Sequence, residues 1–244
     1  MYCFTIEIAH KKLRIESVDE FTKTLCSKFI TAEDVDLSEK VFRASETEVR
    51  SLMTQAPACT PEYLESLCIY KKIAEWLPAQ GCFVFHGASV TFDGGGYIFT
   101  APSGTGKSTH IRLWRQYLGQ AVGIVNGDKP VISVGGDVPL VCGTPWAGKE
   151  NWKQNICVPI RALCFLQRAE ENSLVRLLPK ECLNLLFQQA YLPDTPEAAA
   201  LTLEHLDQLL KKVPVYLLKC NMCEEAVQCS FEGLTGLDYN AYRK

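Results

Sequence analysis

The residues best suited to chemistry lie in one stretch, Ala101-Pro102-Ser103-Gly104-Thr105-Gly106-Lys107-Ser108, followed by Thr109. It fits the phosphate-binding template, with alanine instead of glycine at the first position. The small residues let successive backbone N–H groups turn inward around an anion, and the helix expected after them aims its positive end at the same spot. Lys107 would reach the β- and γ-phosphates, and the Ser108 hydroxyl would hold Mg²⁺. The expected ligand is a nucleoside triphosphate. Mg²⁺ usually takes one or two carboxylates and keeps several waters, so an acid is expected at the end of a neighbouring strand. Asp128 fits, following the apolar run Ala121 to Val125 and a glycine, Gly127, that permits close backbone approach. Guanine-selective switch proteins carry an Asn-Lys-x-Asp reader, and its absence favours ATP.

A second chemical segment is Gly143-Thr144-Pro145-Trp146-Ala147-Gly148-Lys149-Glu150-Asn151-Trp152-Lys153. Two tryptophans, two lysines and two glycines in an unpaired loop suggest a wall beside the phosphates, with Lys149 contacting the γ-phosphate or an acidic acceptor. The alternative is a surface loop packed on its own tryptophans. Arg161 is a weaker candidate for the same charge. Lys129 reads as a solvated side chain, and His110 and His205 as exposed helix residues. The twelve cysteines are scattered, several within apolar runs (Cys68, Cys82, Cys164), and are expected to be reduced. Cys220 and Cys223 lack a second pair or a histidine at zinc-ligand spacing.

The elements that would position these groups follow from periodicity. Tyr97 to Thr100 is a strand running directly into the phosphate loop, and Ile111, Leu113, Trp114 and Leu118 continue at helical spacing as far as Gly119. Cys82 to Phe92 forms a hairpin with that strand through Asp93-Gly94-Gly95-Gly96, and Val131 to Val134 pairs with Val138 to Cys142. Ala162 to Leu166 and Val215 to Leu218 are further strands. Thr60-Pro61-Glu62 and Thr195-Pro196-Glu197 open helices, and Cys182 to Ala190 is helical. The first forty-five residues alternate loosely and read as an antiparallel β preface. The expectation is one α/β domain over 1–244 with a mixed, largely antiparallel sheet and flanking helices. Its parts are an N-terminal β/α preface at 1–80, a phosphate-loop core at 81–178 and a helical part at 179–244.

A chain of 244 residues, 47% hydrophobic and 22% charged, buries a core without staples. Its net charge of -3 gives no field to gather nucleic acid, so any anion must be caught locally. No apolar stretch reaches the roughly 20 residues of a membrane span, and the start at Met1-Tyr2-Cys3-Phe4 lacks the parts of a signal peptide. The expected location is cytoplasmic, with no nucleic-acid or membrane partner.

The stretch Phe85-His86-Gly87-Ala88-Ser89-Val90, the glycine turn, the loop Ser103-Gly104-Thr105-Gly106-Lys107-Ser108 and the acid Asp128 together resemble the catalytic core of HPr kinase/phosphorylase and its relatives. That family shares a P-loop fold with the ATP-dependent phosphoenolpyruvate carboxykinases. The resemblance covers about residues 80 to 135. It implies a kinase that transfers the γ-phosphoryl group of ATP, with Mg²⁺, to a hydroxyl on a peptide, protein or small metabolite. It also implies a role for His86, which with Asp128 is a candidate to accept the acceptor's proton, because imidazoles titrate near neutrality. The family often has two adjacent aspartates where this chain has Gly127-Asp128, which leaves open a non-catalytic, nucleotide-binding regulatory protein. Relatives often form symmetric oligomers, so a homo-oligomer is also left open.

Overall fold

The computed structural model describes residues 1–32 and 40–244; residues 33–39, part of the expected preface, lie outside the described residues. The chain forms two sheets with helices around them. β1 (Tyr2–Ile8) and β2 (Lys11–Ser17) make an antiparallel hairpin, and β3 (Val41–Arg43) adds to β2 in parallel. The preface is therefore not wholly antiparallel. Between β2 and β3 runs α1 (Glu20–Leu25), and after them α2 (Glu46–Gln55) and α3 (Pro61–Trp76). The side chains of Asp19, Ser45 and Thr60 cap these three helices by accepting first-turn N–H groups. Apolar side chains of the small sheet, such as Ile6, Leu13, Ile15 and Phe42, pack with Ile69 and Ile73 of α3 and reach Val84 and Val131 of the larger sheet and Trp146 of the 143–156 loop.

The larger, nine-stranded sheet is mixed. Its strands are β4 (Cys82–Val84), β5 (Ala88–Phe92), β6 (Gly95–Thr100), β7 (Val122–Asn126), β8 (Val131–Ser133), β9 (Leu140–Cys142), β10 (Cys157–Arg168), β11 (Ser173–Arg176) and β12 (Val215–Cys220). Most pairings are antiparallel, but β10 lies parallel to both β6 and β12. Side chains alternate across these strands. Phe99, Cys164 and Leu166 face Ile111 and Trp114 of α4 (Lys107–Leu118) and Phe231 of α7 (Glu224–Thr235). Ile98, Leu163 and Phe165 face α5 (Pro179–Phe187) and α6 (Pro196–Lys212). Helices thus cover both faces, as expected of an α/β sheet whose central strands are apolar throughout.

The expected run Cys82 to Phe92 is broken. β4 pairs with β8, while β5 turns away to pair with β6 and β7. The β5–β6 hairpin turns at Asp93 and Gly94, both at positive φ. His110 and His205 are buried, not exposed. His110 Nε2 meets Ser230 Oγ at 3.1 Å, and His205 Nε2 meets the Pro78 carbonyl at 2.8 Å. The expectation of reduced cysteines fails for one pair. Cys142 and Cys157 stand opposite each other on β9 and β10 and form a disulfide that closes the 143–156 loop.

Candidate functional site

Four chain segments converge at one end of the large sheet: the loop after β6, the break between β4 and β5, the turn after β7 and the loop after β9. Together they enclose a cleft of about 460 Å³. His86, Ser103, Gly104, Gly106, Lys107, Ser108, Thr109, Asp128 and Lys149 all line it, with Gly127, Gly148 and Glu150. Thr105 faces a neighbouring cavity instead. Arg161 lies elsewhere, beside Gly95 at the far end of β6.

The loop after β6 is shaped by two glycines. Gly104 has φ +79° and Gly106 φ +126°, conformations that side-chain-bearing residues rarely adopt, and at both a Cβ would meet open space. Arg168, at the end of β10, holds the loop from outside by donating to the carbonyls of Gly104 and Thr105. The loop delivers the start of α4, and here the chain departs from its own practice at α1, α2 and α3. The residue before α4 is Gly106, so no side chain caps the helix, and no acid stands in its first turn. The first-turn amides point toward the cleft end with no side-chain oxygen to take them.

Lys107 folds back over this loop. Its Nζ donates to the carbonyls of Ala101 at 2.9 Å and Pro102 at 3.4 Å, and the residue is 7% exposed. Burial pushes the ammonium below its ordinary value, and the charge of Asp128 partly offsets that. A buried cation whose hydrogen-bonding partners are main-chain carbonyls, beside an uncapped helix start, is a place where an anion gains on both counts.

Asp128 is held from three sides. Its Oδ1 lies 3.5 Å from His86 Nε2, its Oδ2 3.3 Å from Lys129 Nζ, and Gly148 packs against its Cβ. Burial would raise this carboxyl, but the hydrogen bond from His86 and the charge of Lys129 outweigh it and hold the group below 3.8. Lys129 is thus not simply solvated; its ammonium also lies over the Tyr70 ring, 5.7 Å from the centroid. His86 sits in the break between β4 and β5. Its N–H donates to the Gln189 carbonyl, its own carbonyl accepts from Thr100 Oγ1, and its Nδ1 meets Gln189 Oε1 at 3.0 Å.

Sequence reasoning missed Asn126 and Gln189. Fully buried Asn126 accepts from the amides of Asp128 at 2.9 Å and Lys129 at 2.7 Å, and donates to Thr144 on the facing loop. The signal was present: an asparagine two residues before an aspartate is a common turn device. Gln189 lies 103 positions from His86, and nothing local marks it. Of the loop after β9, Lys149 and Glu150 reach the cleft. Trp146 instead packs on Tyr70, and buried Lys153 donates to the carbonyls of Leu25 and Pro145, so both tie the loop down.

A divalent ion would find hard oxygen donors in Ser108 and Asp128, the donor class Mg²⁺ prefers. Among the described residues no group of three or more His, Cys, Asp or Glu stands ready to hold a metal. An ion in this cleft would therefore complete its shell with phosphate and water oxygens, which suits Mg²⁺.

No protein-family model and no curated protein matches the sequence. Among solved structures the chain is similar to the Hpr(Ser) kinase/phosphatase from Coxiella burnetii, at 11% identity and a TM-score of 0.35, over 65% of this chain and 94% of that one. This is a distant likeness. The chain itself is a mixed α/β protein with mixed sheets and flanking helices. No helix of the described residues is long and apolar enough to cross a membrane.

Proposed function

We propose that this chain is an ATP- and Mg²⁺-dependent phosphotransferase that moves the γ-phosphoryl group to a hydroxyl of a peptide, protein or small metabolite in the cytoplasm. The observation that carries the proposal is the buried Lys107 ammonium beside an uncapped helix start, in a cleft that also holds Asp128 and His86. The loop amides and Lys107 bind the triphosphate, and Ser108 and Asp128 hold the ion. When bound, Mg²⁺ neutralises charge on the phosphate oxygens. The acceptor oxygen forms a bond to the γ-phosphorus as the bond to the β-bridging oxygen breaks, and ADP leaves.

The acceptor's proton goes to Asp128 or to His86. These two face each other at 3.5 Å, so a proton taken by either stays within the pair. Gln189 fixes the imidazole from its other nitrogen. A carboxylate held below its ordinary value is a weak base, which suffices because phosphoryl transfer depends on positioning and charge neutralisation more than on base strength. Lys149, exposed at the cleft, would meet the γ-phosphate or an acidic acceptor.

The test is incubation with ATP, Mg²⁺ and serine-containing peptides or free serine, following acceptor phosphorylation in wild type, Lys107→Ala and Asp128→Asn. Phosphorylation lost in both variants supports the proposal. ATP binding without transfer to any acceptor, alongside a partner protein that responds to nucleotide, would establish the regulatory alternative. Absence of ATP binding would refute both.

A further inference from the structure

A second cavity opens on the other flank of the phosphate loop. Its volume is about 310 Å³, at the small end of ligand pockets, and it shares Gly106 and Thr109 with the phosphate cleft. The two spaces therefore meet at the start of α4. Their walls differ in kind. The cleft is charged, whereas the cavity is walled by Leu113 of α4, Leu166 and Ala169 at the end of β10, and Met222 after β12.

The polar groups around this cavity are largely committed to the protein. Arg168 donates to the loop carbonyls, and Asn221 is bonded to Glu170, Asn172 and Cys223. His110 adds no charge: its Nε2 is engaged with Ser230, and burial pushes its imidazole down to about 3, so it is neutral at cellular pH. An anion gains less there than in the cleft, because the guanidinium of Arg168 is already engaged with the loop carbonyls. A flat, uncharged ring gains from the aliphatic wall of Leu113, Leu166, Ala169 and Met222, and Gln167, which also lines the cavity, offers its edge a hydrogen bond. Thr109, common to both spaces, stands at the joint between such a ring and a polyphosphate tail.

We infer that this cavity seats the purine base of the nucleotide whose phosphates the adjacent cleft holds. The inference rests on the phosphate-binding proposal above and adds where the nucleoside lies and which residues select for it. It also implies that bare polyphosphate is a poor ligand.

Calorimetric titration with ATP and with inorganic tripolyphosphate, each with Mg²⁺, compares the tail with and without the ring. Wild type is expected to bind ATP about tenfold or more tighter than tripolyphosphate. Ala169 lines the cavity and not the cleft, so Ala169→Trp fills the former and should bring ATP to within a few-fold of tripolyphosphate while leaving tripolyphosphate unchanged. Met222→Ala, at a side chain 75% exposed on the cavity mouth, keeps the question answerable if the tryptophan variant does not fold. It should weaken ATP alone, by about threefold. Equal wild-type affinity for the two ligands, or folded variants that bind ATP as wild type does, overturns the inference. If wild type binds neither ligand, the phosphate-binding proposal has failed, and the cavity loses its assignment with it.

Discussion

Replacing Gly104 by alanine isolates the conformation of the glycine-rich loop after β6 from its packing. Gly104 sits at φ +79° with open space where a Cβ would go, so the substitution introduces no clash and costs only the left-handed backbone, about 1–2 kcal/mol. Gly94, in the β5–β6 turn, offers a matched control, with φ +67° and equally open space, at a site outside the cleft. Both variants should lose stability to a similar extent, lowering Tm by about 2–8 °C for a chain of this size. Their binding should diverge. Arg168 pins the Gly104 carbonyl, so the strained peptide unit relaxes by turning its amides away from the cleft. Loss of one charge-assisted amide bond to phosphate then weakens ATP by about 10- to 100-fold. Thermal melts and calorimetric titration of the two variants side by side supply the comparison. Gly104→Ala binding ATP as tightly as Gly94→Ala would refute the claim that this loop's backbone cradles the phosphates.

Three further outcomes are expected. The Asp128 carboxyl is held below its ordinary 3.8, so its contribution to stability is complete above that pH and fades as the pH falls through the lower folded value; acid unfolding of Asp128→Asn should lack this component. Lys107 is also depressed, below 10.5, but for a cation this means that the charged form disfavours the folded state, and a bound triphosphate should restore its proton. ATP binding should therefore take up protons on the alkaline side, seen as a dependence of calorimetric heat on buffer ionisation enthalpy that Lys107→Met abolishes. The Cys142–Cys157 disulfide spans a sequence separation of 15, and closing a loop of that length contributes about 3 kcal/mol. A reductant should lower Tm in wild type and leave a Cys142→Ser, Cys157→Ser variant unmoved, with non-reducing peptide mapping to identify the bridge.

The legible parts of this molecule are the contiguous ones. The glycine-rich loop after β6, its strand and its helix occupy successive residues, and the glycines that shape the loop are visible because few other residues adopt those angles. The helix starts at Thr60 and Thr195 carry a cap residue and a proline, and both helices form where those signals stand. What stayed hidden depends on partners far away in sequence. His110 and His205 look like exposed helix histidines until Ser230, 120 positions on, and Pro78, 127 positions back, bury them. α2 buries none of its residues, so its short apolar stripe of Val49, Leu52 and Met53 is weak, although Ser45 and Glu48 mark its start with a capping box. The break at Phe85 to Gly87 interrupts an apolar run that reads as one strand, because each half pairs with a different neighbour, and neither pairing is written locally.

Gly127 owes its place to packing. A Cβ there would lie 3.0 Å from the Ala147 carbonyl oxygen, and the Gly127 amide donates to the Trp152 carbonyl at 2.9 Å. The position is therefore given to packing the loop after β9 against the strand end. That same packing brings Gly148 onto Asp128 and carries Glu150 into the cleft, so the cleft holds two carboxylates, one from the turn after β7 and one from the facing loop. A side chain at 127 would press on the Ala147 carbonyl of the loop that supplies Lys149 and Glu150. The glycine and the loop belong to one arrangement, and the charge balance of the cleft follows from both together.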